Sequence, residues 1–326
     1  MLNKLLFLLF LIFFGIILGY FIQYLDEKKK TNFPIKREKI RKNLQKIFFF
    51  LFSPISIIGA IWVANIQNIK AIYVPMMGLT AFFLGAIFAY IGARFLKLSK
   101  PNTGLYIISG SYSNIGSIGG LVCFAFFGEA GYALTPIYNF VLPAIYFALG
   151  FPIVKHFTNN YEKKESVISR FLTAITDPFV LFPIGSITIG LLLNFSNISR
   201  PPIYGNIIAV TVPVGNFLVL VSIGLELKIS KVKDYLRECA VLSLIKFLLI
   251  PFFTTIIAWR LGLGEIANGL HLKVVIVLSS MPVALIALIP SSLYNLGLNM
   301  VNSCWLFTTA AMIFVIPVLY FLVNLF

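Results

Sequence analysis

Charge is scarce in this sequence, and acidic charge is scarcest. Only 11% of the 326 residues are charged, while 59% are hydrophobic and 15% aromatic, a balance outside the range of soluble domains of this length. The 26 lysines and arginines outnumber the 11 aspartates and glutamates and leave a formal charge of +15. In a soluble chain that excess would suggest nucleic acid; in an apolar chain it marks loops, so nucleic-acid binding is excluded. All eleven acidic residues (Asp26, Glu27, Glu38, Glu129, Glu162, Glu165, Asp177, Glu226, Asp234, Glu238, Glu265) lie in loops or at the ends of apolar stretches. The mid-membrane carboxylate that usually carries a proton or Na⁺ is therefore missing, which argues against an Asp-based cation antiporter and favours anionic cargo. Asp177, just before Pro178, reads as a helix-start residue, and Glu226 as interfacial.

Other absences narrow the function further. The three cysteines (Cys123, Cys239, Cys304) have no CxxC or Cys/His spacing, so neither a disulfide framework nor a metal site is indicated. The two histidines, His156 and His271, fall at span ends, where a solvated interfacial residue is the expectation. There is no GxxxxGK[ST], HExxH or GxSxG and no stretch with the length and polarity of a soluble domain. ATP-driven transport by this chain alone and enzymatic hydrolysis are thereby disfavoured, and no cofactor is implied.

What is present is apolar sequence in membrane-sized lengths. Ten stretches reach the roughly 20 residues needed to cross a hydrocarbon core, at about 5–24, 47–65, 71–94, 102–127, 131–154, 178–195, 206–226, 236–258, 272–292 and 300–325. The first follows Lys4 like a signal peptide but lacks a small-residue cleavage site, so it reads as a retained span. Alternate loops hold 20 of the lysines and arginines, the other side holds Lys4, Lys70, Arg200, Arg260 and Lys273, and Lys246 lies inside a span. The positive-inside rule then predicts both termini on the non-cytoplasmic side of a bacterial plasma membrane. The basic stretch from Ile35 to Lys46 fits either an interfacial helix on anionic lipid or a solvated loop.

Two of the ten spans carry interruptions. The fourth contains Ser109-Gly-Ser-Tyr-Ser-Asn-Ile-Gly-Ser-Ile-Gly-Gly120, and the ninth contains Ser279-Ser280-Met281-Pro282. In hydrocarbon an unpaired backbone group costs several kcal/mol, so broken helix persists only beside protein or a water-filled cavity. Corresponding breaks in the fourth and ninth of ten spans imply two halves of five, residues 1–155 and 178–326, joined by a cytoplasmic linker at 156–177. Five is odd, so the halves are inverted. The expected site residues are Ser113, Asn114, Gly116 and Ser117 at one break and Ser279, Ser280, Met281 and Pro282 at the other. Asn114, and Ser279 or Ser280, are placed to cap the following half-helices, with Pro282 in a first turn. Two half-helix N-termini would then cradle an anion. The alternative is plain packing, since Gly116-xx-Gly119 also suits close helix contact.

Lys246 lies close to mid-membrane, where a charge must face protein. It could pair an anionic substrate, replace a coupling cation, carry a proton, or bond structurally to carbonyls exposed at a break. Ser56 after Pro54 and Asn216 after Pro213 occupy comparable places in the two halves and are additional candidates, with packing at a Pro kink as the alternative. Asn302, Ser303, Thr308 and Thr309 are weaker ones.

At these residues the chain resembles the auxin efflux carrier family, particularly its bacterial members. The match rests on Ser113-Asn114-Ile115-Gly116 with Gly119-Gly120, on Phe126-Phe127-Gly128-Glu129-Ala130-Gly131-Tyr132, and on Ser280-Met281-Pro282-Val283-Ala284 through Asn302-Ser303-Cys304-Trp305. The resemblance implies an all-α integral membrane fold of ten helices in two inverted five-helix repeats, with discontinuous helices 4 and 9 crossed. It implies secondary transport of small organic anions by alternating access, with the carboxylate near the crossover, Asn114 as the crossover asparagine, and spans 1, 2, 6 and 7 as the moving or homodimer-forming part. The chain departs from the pattern at Gly119, where relatives often have proline, and has no asparagine beside Pro282. The coupling ion, H⁺ or Na⁺, is left open. The rival readings are a Na⁺-coupled symporter of the bile acid type and a non-transporting membrane sensor or assembly protein whose breaks are structural.

Overall fold

The computed structural model describes residues 2–28, 37–64, 66, 68–158, 176–227, 232–293, 296 and 298–325. Within them the regular elements are helical: α1 (Leu2–Glu27), α2 (Arg37–Trp62), α3 (Ile69–Phe95), α4 (Lys100–Ser111), α5 (Gly120–Tyr138, entered through a π turn at Ile115–Gly119), α6 (142–158), α7 (Pro178–Asn194), α8 (Ile203–Gly224), α9 (Val232–Arg260), α10 (Leu270–Ser279), α11 (285–293) and α12 (Leu298–Val323). Seven continuous runs among the described residues are long and apolar enough to cross a membrane: Asn3–Glu27, α2, α3, Ile115–Thr158, α8, α9 and α12. The chain is thus an all-α, multi-pass membrane protein.

The count differs from ten for identifiable reasons. The expected fourth span is divided between α4 and α5 by the break at 112–114. The run from Ile115 to Thr158 contains the end of that span and the fifth, because Gly128 breaks it with φ +66, a conformation that glycine adopts without steric cost. The sixth is the shorter helix α7, and the ninth is divided between α10 and α11. The basic segment is helical, as the first of the two expectations has it, and its helix is not separate. From Arg37 onward it is the first part of α2, continuous with the second span, and Arg37 and Arg41 pair with Glu27 at 2.9 Å and Glu226 at 3.1 Å. Ile35, and most of the predicted linker at 156–177, lie outside the described residues.

Compactness divides the chain into two units that interleave in sequence, Met1–Asn65, Gly116–Pro136 and Leu181–Lys228 in one, Ile66–Ile115, Ile137–Val180 and Ile229–Phe326 in the other. The predicted division at 155 and 178 concerns symmetry rather than compactness.

In the first unit α1 packs on α8 at a reciprocal pair of glycines: a Cβ on Gly19 would strike Val221 O, and one on Gly224 would strike Ile16 O. Such close backbone approach substitutes for the hydrophobic drive that lipid does not supply. The C-terminal carbonyls of α2, orphaned as at every helix end, face the Asn194 amide, whose Nδ2 lies 2.9, 3.0 and 2.9 Å from the oxygens of Ile61, Trp62 and Ala64. Beside the Gly128 turn, Glu129 accepts from Arg200 at 2.6 Å, and Arg200 also donates to Gly59 O at 2.9 Å.

In the second unit α3 packs on α4, again through glycine. A Cβ on Gly85 would overlap Gly110 O, and one on Gly110 would lie 2.5 Å from the Ala89 Cβ. Tyr106 of α4 donates its hydroxyl to Glu238 O at 2.8 Å, anchoring α9. The Lys70–Glu265 pair, at 2.6 Å, joins the start of α3 to the loop before α10. His271, expected to be solvated, is buried at the start of α10. Asp177 behaves as expected, its carboxylate accepting from Phe179 N at 2.8 Å to start α7.

Candidate functional site

Helix α4 ends at Ser111 because Tyr112 turns extended, with φ −86 and ψ 119. Helix α10 ends at Ser279, and the chain is extended again at Ala284, with φ −78 and ψ 146. Both interruptions are buried and would strand polar backbone in an apolar setting. Each supplies what the other lacks. Ser113 and Val283 form an antiparallel bridge, Asn114 N donates to Pro282 O at 2.8 Å, and Ala284 N donates to Tyr112 O at 3.0 Å. The Val283 amide donates to Thr308 Oγ1 of α12 at 3.3 Å. The two breaks, at 112–114 and 282–284, therefore form a short two-stranded ladder inside the second compact unit.

Lys246 completes the crossing. It lies at the middle of α9, in a π turn at Ile245–Leu249, the kind of local widening found often at functional positions. It is fully buried. Its ammonium donates to Gly110 O at 3.0 Å, to Tyr112 O at 3.0 Å and to Ser113 Oγ at 2.7 Å. Of the roles open in sequence, the observed bonding is that of a lysine held by carbonyls exposed at a break. Its three hydrogens are met by three protein oxygens, so a direct bond to substrate would require one of these contacts to be given up. Tyr112 O has both lone pairs used, by Lys246 and Ala284.

Several expected details change. Ser279 and Ser280 do not cap the second half-helix; both hydroxyls donate back to Ile276 O, at 3.2 and 2.8 Å, the usual local competitor to capping. Pro282 is not in a first turn, because α11 starts at Leu285, and its carbonyl serves the ladder instead. Ser56 and Asn216 belong to the first compact unit. There Ser56 shares a 2.8 Å hydrogen bond with Thr211, and Asn216 donates to Val212 O at 2.8 Å, which is packing between and within α2 and α8.

Ser113 is half-buried, Asn114 and Ser117 are buried, and Gly116 is exposed, with nothing within 4 Å of where its Cβ would be. Met281 is buried beside the bridge. Sequence reasoning undervalued α12. Thr308 supports the ladder, and buried Trp305 Nε1 and Thr309 Oγ1 have no hydrogen-bond partner among the described residues. The run of polar residues at 302–309 was the only available signal.

No protein-family model matches the chain. It is 25% identical over 312 residues to an uncharacterized transporter of Methanocaldococcus jannaschii, covering 92% of this chain and 93% of that protein. It is 21% identical over 306 residues to an uncharacterized transporter of Methanothermobacter thermautotrophicus, covering 93% of each. The chain is thus an all-helical, multi-pass membrane protein, similar over nearly its whole length to two archaeal transporters.

Proposed function

We propose that this protein is a secondary transporter of small organic anions, mono- or dicarboxylates, of the auxin efflux carrier type. In this reading ten spans form two inverted five-helix repeats, 1–155 and 178–326, and both termini face away from the cytoplasm. The observation that carries it is the pairing of the two broken helices through backbone hydrogen bonds, with the Lys246 ammonium bonded to the same turn. Irregular backbone at membrane depth belongs with a transport site, and a buried cation with no acidic side chain bonded to it among the described residues favours a negative ligand. Ser113 and Asn114 line the site on one side, and the chain continues into Gly116 and Ser117, where nothing among the described residues lies within 4 Å of an added Gly116 Cβ and the backbone is open to a carboxylate. The residues of the second break, Ser279 to Pro282, hold its shape, and Lys246 supplies positive charge through the turn that it binds. Spans 1, 2 and 7 and most of span 6 share one compact unit, together with residues 116–136; that spans 1, 2, 6 and 7 form the moving bundle is part of the proposal.

The test is uptake of labelled short carboxylates into proteoliposomes, beside a thermal-shift screen of organic acids. A ligand at about 100 times its Kd stabilises by about 2.7 kcal/mol. Saturable uptake that Asn114→Ala reduces is the expected result. Flux equal to that of empty vesicles across the panel overturns the reading in favour of a non-transporting membrane protein, and uptake that requires Na⁺ replaces it by Na⁺-coupled symport.

A further inference from the structure

We infer that the Lys246 ammonium is a tethered cation: it fills a cation site built from Gly110 O, Tyr112 O and Ser113 Oγ, so that the broken helix α4–α5 is held without an external alkali ion. This inference goes beyond the identity of the cargo and does not depend on it.

The oxygen set carries the argument. Gly110 O belongs to the last turn of α4, where carbonyls lack intrahelical partners and the helix dipole is negative, and Tyr112 O lies just past that end, on unwound chain. Half-helix C-termini and unwound carbonyls are the groups that coordinate small cations in membrane carriers. Here two such carbonyls and the Ser113 hydroxyl surround one nitrogen at 2.7–3.0 Å. An ammonium has three hydrogens, one for each of these oxygens, and so satisfies all three at once. No acidic side chain pairs with Lys246 among the described residues, and the turn therefore binds a cation through dipoles alone. The close packing of Gly85 on Gly110 fixes one of the three oxygens from behind. The tether removes the entropic cost of capturing a free ion.

Lys246→Ala removes a three-carbon stem and its ammonium, the outline of n-propylammonium, and should leave a site that free cations can occupy. Melting temperatures of the purified full chain are compared in choline chloride, sodium chloride and n-propylammonium chloride at equal ionic strength. The wild type should melt at the same temperature in all three. Lys246→Ala should melt lower in choline and recover saturably, by about 2 °C or more, with propylammonium or Na⁺. Adding Ser113→Ala should weaken that recovery. A saturable rise of the wild type with Na⁺, or a Lys246→Ala protein indifferent to both small cations, overturns the inference. Should Lys246→Ala fail to accumulate, Lys246→Met keeps the bulk without the charge. It should melt lower in every salt, and a Met variant as stable as wild type overturns the inference equally. Absence of carboxylate uptake by the wild type, with cation recovery of Lys246→Ala intact, would count against the transport reading alone.

Discussion

Replacing Gly85 by alanine places a methyl group on the carbonyl oxygen of Gly110. That oxygen cannot retreat freely, since it accepts from Lys246 Nζ at 3.0 Å and belongs to the last turn of α4. The obstruction is backbone, so helices α3 and α4 must separate. Overpacking of this kind costs about 1–3 kcal/mol, and alanine recovers about 0.5–1 kcal/mol over glycine in a helix interior. The net loss centres on about 1 kcal/mol, a fall of about 2 °C in melting temperature. Gly92, two turns further along α3, is the control. A Cβ there meets only side-chain atoms of Ile245, Val241 and Tyr106 at 3.2–3.4 Å, which can shift by tenths of an ångström, so Gly92→Ala should be close to neutral. Thermal unfolding in one detergent, followed by tryptophan fluorescence, compares the two variants with wild type. If Gly85→Ala melts with or above Gly92→Ala, the close approach of α3 to α4 does not support the crossing as described.

Gly116→Ala should leave the melting temperature nearly unchanged, because nothing lies within 4 Å of the added methyl, yet should reduce carboxylate-induced thermal shifts by blocking approach to the backbone. Asn194→Ala removes the amide that serves Ile61, Trp62 and Ala64 carbonyls; an expected loss of about 1–3 kcal/mol should appear as faster amide exchange in the last turn of α2. The hydrogen bond and then the charge of Lys70 hold the Glu265 carboxyl below its ordinary range. Its contribution is therefore present above the ordinary carboxylate pKa and lost only as pH falls through the lowered value. The melting-temperature difference between wild type and Glu265→Gln should stay constant from about pH 7 to about pH 5, and a drift within that window would show the pair to be unformed.

Much of this molecule is written in its composition. Long apolar runs separated by basic loops dictate membrane helices, because in hydrocarbon each backbone group must be satisfied within its own segment. The same rule exposed the two interruptions, since serine, glycine and proline at 109–120 and 279–282 cannot continue a lipid-facing helix, and it required buried Lys246 to face protein. The partners were beyond its reach. Ser279 and Ser280 had equally good local acceptors in the preceding turn, and sequence does not say whether a hydroxyl will cap forward or bond back. That Asn114 meets Pro282, Thr308 meets Val283 and Lys246 meets Gly110 depends on contacts across well over a hundred residues for two of the three, which no local periodicity encodes. The π turn that widens α9 at Lys246 left no mark in the sequence either. Sequence by itself determined that two helices must break and that a cation must be buried. Only the tertiary structure decided that the breaks satisfy one another and that the cation binds one of them, because backbone groups left over by one segment can be matched only by whatever the fold brings beside them.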